Sequence, residues 1–183
     1  INNKEGKGSI QIVHDPWRPV PSIGGHLSTT PGLAERGELD MRLDVATFTS
    51  SPIQKTLRLE GIPKLEVNAH SDQQGFDLCV ALSIVDEQRT QAKQLSTGFL
   101  RVQGESSLKP KMRLVELQPF LSELKPGERL RISIAGSSWP AIGINPGHSD
   151  KQCEAPEPDC LVTTLFLNLH RSKLYFSQLF PTN

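Results

Sequence analysis

The chain has 183 residues, enough for one domain with a substantial core. Hydrophobic residues make up 36% and charged residues 22%, the balance of an ordinary globular protein. The 20 Lys and Arg match 20 Asp and Glu, which removes the electrostatic case for nucleic acid or an anionic membrane as main partner.

The N-terminus lacks the basic and apolar regions of a secretory signal, so a cytoplasmic location is expected. A start at Ile1 instead of methionine predicts a mature product, a fragment or a trimmed chain. The first strand is predicted over Ser9–Val13, with Ile10, Ile12 and Val13 as its apolar members. It runs into His14-Asp-Pro-Trp-Arg-Pro-Val-Pro-Ser-Ile-Gly-Gly25, which reads as neither helix nor strand. Pro16, Pro19 and Pro21 lock φ and remove backbone donors. Gly24 and Gly25 permit a sharp turn. Ordering such a segment costs less entropy than ordering a common loop. It is expected to be a rigid strap anchored by Trp17, Val20 and Ile23, covering a sheet edge against unwanted pairing.

A short helix is the reading for Thr30–Asp40, weakened by Pro31, Gly32 and Gly37. Strands follow at Val45–Thr49 and Thr56–Leu59. Strict alternation of Leu65, Val67 and Ala69 with polar neighbours predicts a half-buried strand. Leu78–Val85 is apolar on both faces and reads as a central strand, with a short buried helix as the alternative. Gly98–Gln103, Leu114–Leu117 and the alternating Leu130, Ile132 and Ile134 continue the series. Leu165, Leu167 and Leu169 alternate in the same way, and Lys173–Phe176 is the last candidate. Turn residues separate these runs, as at Gly61-Ile62-Pro63, Pro126-Gly127 and Asn145-Pro146-Gly147. Many short strands at this spacing predict an all-β, two-layer antiparallel β-sandwich, read as one domain over 1–183.

The chain offers little for catalysis. A serine nucleophile on a strand-to-helix elbow needs Gly-x-Ser-x-Gly. The strings around Ser106, Ser138 and Ser149 all lack the final glycine, and none precedes a helical pattern. His148, Cys153, Cys160 and His170 are spaced by 4, 6 and 9 residues, which fits no common zinc pattern. His70 and His170 take polar phases of strands. No catalytic, metal or cofactor residue is therefore assigned. Cys79 reads as a buried free thiol. Cys153 and Cys160 flank an acidic loop, either as a pair or as two unpaired thiols. Trp17 and Trp139, the 2 tryptophans, each neighbour prolines. Packing is the commoner fate of such side chains, and stacking on a ligand is the alternative.

These runs also carry a likeness. "HDPWRPVPSIGG" resembles the Tyr-Asp-Pro-x-x-Pro-Val-Pro-(Ser/Thr)-x-Gly-Gly strap of the C-terminal domain of the X-Pro dipeptidyl-peptidase, cocaine esterase and α-amino-acid ester hydrolase group. "PGLAERGELDMRLDVATFTSSPI", "LRLEGIPKLEV", "FDLCVALSIVDEQRTQAKQLSTGFLRV" and "LKPGERLRISIAGSSWPAIGINPG" resemble successive segments of that domain in the same order. His14 stands where tyrosine is usual, and Ile144 stands where an arginine often precedes Asn145-Pro146. Gln73-Gln74-Gly75 replaces an acidic-threonine-acidic run. The resemblance implies a jelly-roll, galactose-binding-like sandwich beside an α/β-hydrolase domain of the same polypeptide, whose Ser-Asp-His triad lies upstream of the matched region. It implies an interdomain strap at His14, Asp15, Pro16, Trp17, Pro19, Pro21, Gly24 and Gly25. Trp139 and Asn145 are candidate loop contacts. Further copies of the chain are a second class of partner.

Two functions follow. One is a non-catalytic accessory domain of a serine hydrolase acting on X-Pro peptides, esters or amides, packed on the catalytic domain and shaping its active-site rim. The other is an independent carbohydrate- or peptide-binding module.

Overall fold

The computed structural model describes residues 8–25, 28, 31–88, 91–149, 156–176 and 178–181. Among the described residues, eleven strands carry the architecture, joined by one four-residue helical turn and one five-residue 3-10 turn. The strands are β1 (Ser9–His14), β2 (Val45–Thr49), β3 (Leu57–Gly61), β4 (Lys64–Ser71), β5 (Gly75–Val85) and β6 (Ala92–Gln103). They continue with β7 (Lys111–Glu116), β8 (Phe120–Leu124), β9 (Arg129–Ala135), β10 (Thr163–Tyr175) and β11 (Gln178–Pro181). The helical turn α1 is Gly37–Asp40 and the 3-10 turn is Gly104–Leu108.

All strand pairs are antiparallel. One four-stranded sheet runs β1-β10-β4-β7 and another runs β2-β9-β5-β6, with a small sheet β11-β3-β8 beside them. Alternation places one phase of each strand inside. Ile12, Leu65, Val67, Leu165 and Leu167 of the first sheet meet Leu78, Val80, Leu82, Ile132 and Ile134 of the second in one core. Leu59 and Leu124 bring the small sheet into the same core, each fully buried. The result is an all-β antiparallel sandwich.

The apolar run around Leu78 is a strand, and it is central, between β9 and β6. Its second apolar face explains the missing alternation: Ala81 faces outward yet is only 3% exposed, because other chain covers it. Three sequence expectations change. The helix expected over Thr30–Asp40 shrinks to α1, since Pro31 and the positive-φ Gly32 precede it outside any helix. Val13 faces solvent, while its neighbours Ile12 and His14 point inward. The Leu165-Leu167-Leu169 alternation ends at a register shift between Asn168 and Lys173, leaving Leu169 only partly buried. The structure adds β8 and β11, which the sequence pattern did not signal.

Candidate functional site

The strap after β1 is held mainly by its own backbone. The Val20 N–H donates to the Ser137 hydroxyl at 2.8 Å. The Ser22 N–H donates to the Trp139 carbonyl at 2.7 Å, and the Trp139 N–H returns to the Val20 carbonyl at 3.0 Å. This short parallel pairing ties Pro21 to Trp139, just past the end of β9. Upstream, Asp15 closes a turn by accepting from the Trp17 N–H at its side chain and from the Arg18 N–H at its carbonyl. Downstream, Gln94 of β6 donates its side-chain amide to the Ile23 carbonyl at 2.8 Å.

The strap therefore crosses a face, from β9 to β6, and the expectation of an edge cover is corrected. Val20 is 3% exposed and packs with Leu39, Val45 and Ala135 in a second, smaller core, with Ile23 against it. A strand whose two faces are both apolar needs such a lid, or the outward phase would meet water. The true cover of the β6 edge lies further on. Arg36 donates its N–H to the Ala92 carbonyl, and Gln94 donates to the Ala34 carbonyl. At the other end Gln118 donates to the Thr97 carbonyl.

The anchors also differ from expectation. Val20 and Ile23 hold the strap down, but Trp17 is 59% exposed. Trp139 keeps part of its ring at the surface, at 39% exposed. Pro16 and Gly24 are buried, Asp15, Pro19 and Gly25 are half-buried, and Pro21 is exposed. His14 is 4% exposed and Asn145 is 1% exposed. Both side chains are therefore buried within this domain, His14 at the root of the strap and Asn145 in the loop after β9.

Asn145 belongs instead to a buried polar cluster. Its amide donates to Asp77 at 2.8 Å, and its carbonyl oxygen accepts from the Gly147 N–H at 3.0 Å. Arg101 clamps Asp77 with two bonds, at 2.9 and 2.8 Å. Asp77 and Arg101 are direct cross-strand partners on β5 and β6. A two-pronged guanidinium–carboxylate pair is the favourable way to keep a carboxylate that is 1% exposed inside a protein. Arg101 also holds the Gly143 carbonyl, so the cluster fastens the loop after β9 to the sheet.

A second cluster braces the strap's far side. Asp40 accepts from Arg36 at 2.9 Å, from the Ser133 hydroxyl at 2.8 Å and from Arg131 at 3.2 Å. Arg36 in turn donates to the Gln94 side chain at 2.7 Å. None of Asp77, Arg101, Arg36, Asp40 and Gln94 stood out in the sequence. The available signal was an aspartate interrupting the apolar run Phe76-Asp77-Leu78, whose partner emerges only from strand register.

Between strap and sheet lies a cleft of about 250 Å³, lined among others by Ser22, Ile23, Cys79, Thr97, Phe99 and Ser138. Burial pushes the Cys79 thiol well above the ordinary cysteine range. A raised thiol is a poor nucleophile, although Cys79 is partly exposed at the cleft and not the fully buried thiol expected. Ser106, one of the nucleophile-like serines, sits in the 3-10 turn and donates to the Gln103 carbonyl, so it lies on no strand-to-helix elbow. Among the described residues, no group of three or more His, Cys, Asp or Glu side chains converges as a metal site. Cys153, of the imagined zinc set and the imagined disulfide, lies outside the described residues.

Residues 12–174 match the model of the X-Pro dipeptidyl-peptidase C-terminal non-catalytic domain. The chain belongs to that family. Its C-terminal-domain character favours the accessory reading over a free-standing binding module. No curated protein matches the chain. Among solved structures, an aminopeptidase from a marine sediment Thaumarchaeota archaeon matches with a TM-score of 0.78 at 17% identity, over 94% of this chain and 33% of its own. An α-amino acid ester hydrolase matches with a TM-score of 0.78 at 19% identity, over 92% of this chain and 32% of its own. A CocE/NonD family hydrolase from Staphylococcus aureus matches with a TM-score of 0.54 at 17% identity, over 91% of this chain and 36% of its own. At such identities the likeness is one of fold. The X-Pro dipeptidyl-peptidase C-terminal domain described here spans about a third of the length of each of these structures.

Proposed function

We propose that this domain is the C-terminal accessory part of an α/β serine hydrolase acting on X-Pro peptides, esters or amides. It packs on the catalytic domain of the same polypeptide and helps shape the rim of that domain's active site. The observation that carries the reading is the family match over residues 12–174, to a domain described as C-terminal and non-catalytic. The two four-stranded sheets, β1-β10-β4-β7 and β2-β9-β5-β6, support a jelly-roll connectivity for it, since most neighbours in each sheet are far apart in sequence. Trp17 supports the docking role. A large flat side chain, 59% exposed on a proline-stiffened strap, offers apolar area to a partner at little entropic cost. A second copy of the chain is the other partner this reading admits, and the parent's oligomeric state reads it.

The test has two arms. The purified 183-residue chain should not hydrolyse X-Pro anilides or activated esters. Hydrolysis that disappears when one serine is replaced overturns the reading. In the full-length parent, Trp17→Ala should lower the thermal midpoint or kcat/KM. A parent unaffected in both places docking elsewhere than the strap.

A further inference from the structure

We propose that His14 is a proton-sensitive latch for the strap: when its ring takes up a proton, the strap releases the outer face of the β2-β9-β5-β6 sheet and the cleft beneath it opens. The placement carries the argument. His14 ends β1 and begins the strap, so it sits at the strap's root. It is 4% exposed, and its Nε2 has no hydrogen-bond partner. Its side chain packs against the chain just after β9, where a Cβ added to Gly136 would come within 2.6 Å of the His14 Cβ. The next residue, Ser137, holds the strap by accepting from the Val20 N–H. The neutral ring fits this space. A charged ring would carry a second N–H into a site with no acceptor for it.

The charges around the ring come from three elements. Asp77 faces it from β5, Asp15 from the strap and Asp44 from the approach to β2. Each favours the charged ring, as does a hydrogen bond to the Asn145 main chain. Burial outweighs them and holds His14 below the ordinary histidine value of 6.5. Asp77 is the strongest of these favourable influences, but both of its oxygens already serve Arg101.

The sign follows from linkage. With the strap closed, the ring stays neutral; with the strap released, it takes up a proton at its ordinary 6.5. Closure is therefore fully favoured above pH 6.5 and loses ground as pH falls below it. At pH 5.5, a ring that charges only on release shifts the balance toward release by up to about tenfold. The resemblance places tyrosine at this position, which has no titration in that window, so the device belongs to this chain.

Cys79 lines the cleft under the strap, where it is partly exposed, and its labelling rate rises as the cleft opens further. Labelling of Cys79 by iodoacetamide, followed at the peptide level by mass spectrometry, separates it from Cys153 and Cys160. The rate is measured at pH 7.5 and 5.5 for the native chain and for His14→Tyr. The ratio of the two rates at each pH removes the thiol's own pH dependence. That ratio should rise about three- to tenfold between pH 7.5 and 5.5, with the strand content by circular dichroism unchanged. An unchanged ratio overturns the proposal. If His14→Tyr does not fold, the NMR signal of the His14 ring in the native chain decides. A ring that takes up its proton in step with a rise in Cys79 labelling supports the latch. A ring that titrates near 6.5 with no rise in Cys79 labelling overturns it.

Discussion

At the scale of single residues, Asp77 and Trp17 make opposite predictions. Asp77 joins β5, β6 and the loop after β9 through Arg101 and Asn145. Removing one partner of a buried pair leaves the other charge uncompensated, so Asp77→Ala should cost about 3–5 kcal/mol in denaturant unfolding. Asn145→Ala, which removes one hydrogen bond and leaves Asp77 clamped by Arg101, should cost about 1–3 kcal/mol. Trp17→Ala should leave the stability of the chain by itself within about 0.5 kcal/mol, because its ring lies mostly in solvent. An Asp77 variant as stable as the native chain would show that the clamp is replaceable by water. The difference between these sites was only half legible. The sequence singled out Trp17 for its size and Asn145 for its turn, and both readings follow composition. Exposure and partnership are properties of register. Asp77 meets Arg101 because a strand pair aligns them 24 residues apart, which no local pattern encodes.

At the scale of elements, the strap was visible as a stiff, irregular segment because proline and glycine write backbone constraints directly into sequence. What it covers was not visible. The outward phase of β5, with Cys79, Ala81 and Ser83, reads as apolar or small, and that pattern signals only that something lies on top. Gly24 shows how tightly the strap is fitted. Its φ is +56°, and a Cβ there would come within 2.7 Å of the Ala34 Cβ and the Gly32 carbonyl oxygen. Gly24→Ala should therefore cost about 1–3 kcal/mol and raise the labelling rate of Cys79. A variant with native stability and an unchanged Cys79 labelling rate would show that the strap turns elsewhere. β8 escaped the sequence reading for a different reason. In Phe120-Leu-Ser-Glu-Leu124, Leu121 is 61% exposed, so the apolar residues do not alternate with the polar ones.

At the scale of the whole molecule, one core links all three sheets, and Leu124 joins it from the small sheet together with Leu59. Leu124→Ala should lower stability by about 2–5 kcal/mol and shift a single unfolding transition, followed by both fluorescence and circular dichroism. Two separated transitions would show that β11-β3-β8 unfolds as its own unit. The period-two runs made the sandwich legible, because burial on one face of a strand forces alternation. The grouping of strands into three sheets was not, since most partners are far apart in sequence.

The short segments laid against β6 have a consequence for assembly. Ala34–Arg36 and Gln118 already occupy main-chain groups along that strand, whereas β2 ends its sheet on the opposite side. Continuous stacking of molecules needs two accessible rims on one sheet. Here growth of this sheet by edge-to-edge annealing meets a blocked rim at one end, so it cannot extend through both of its sides.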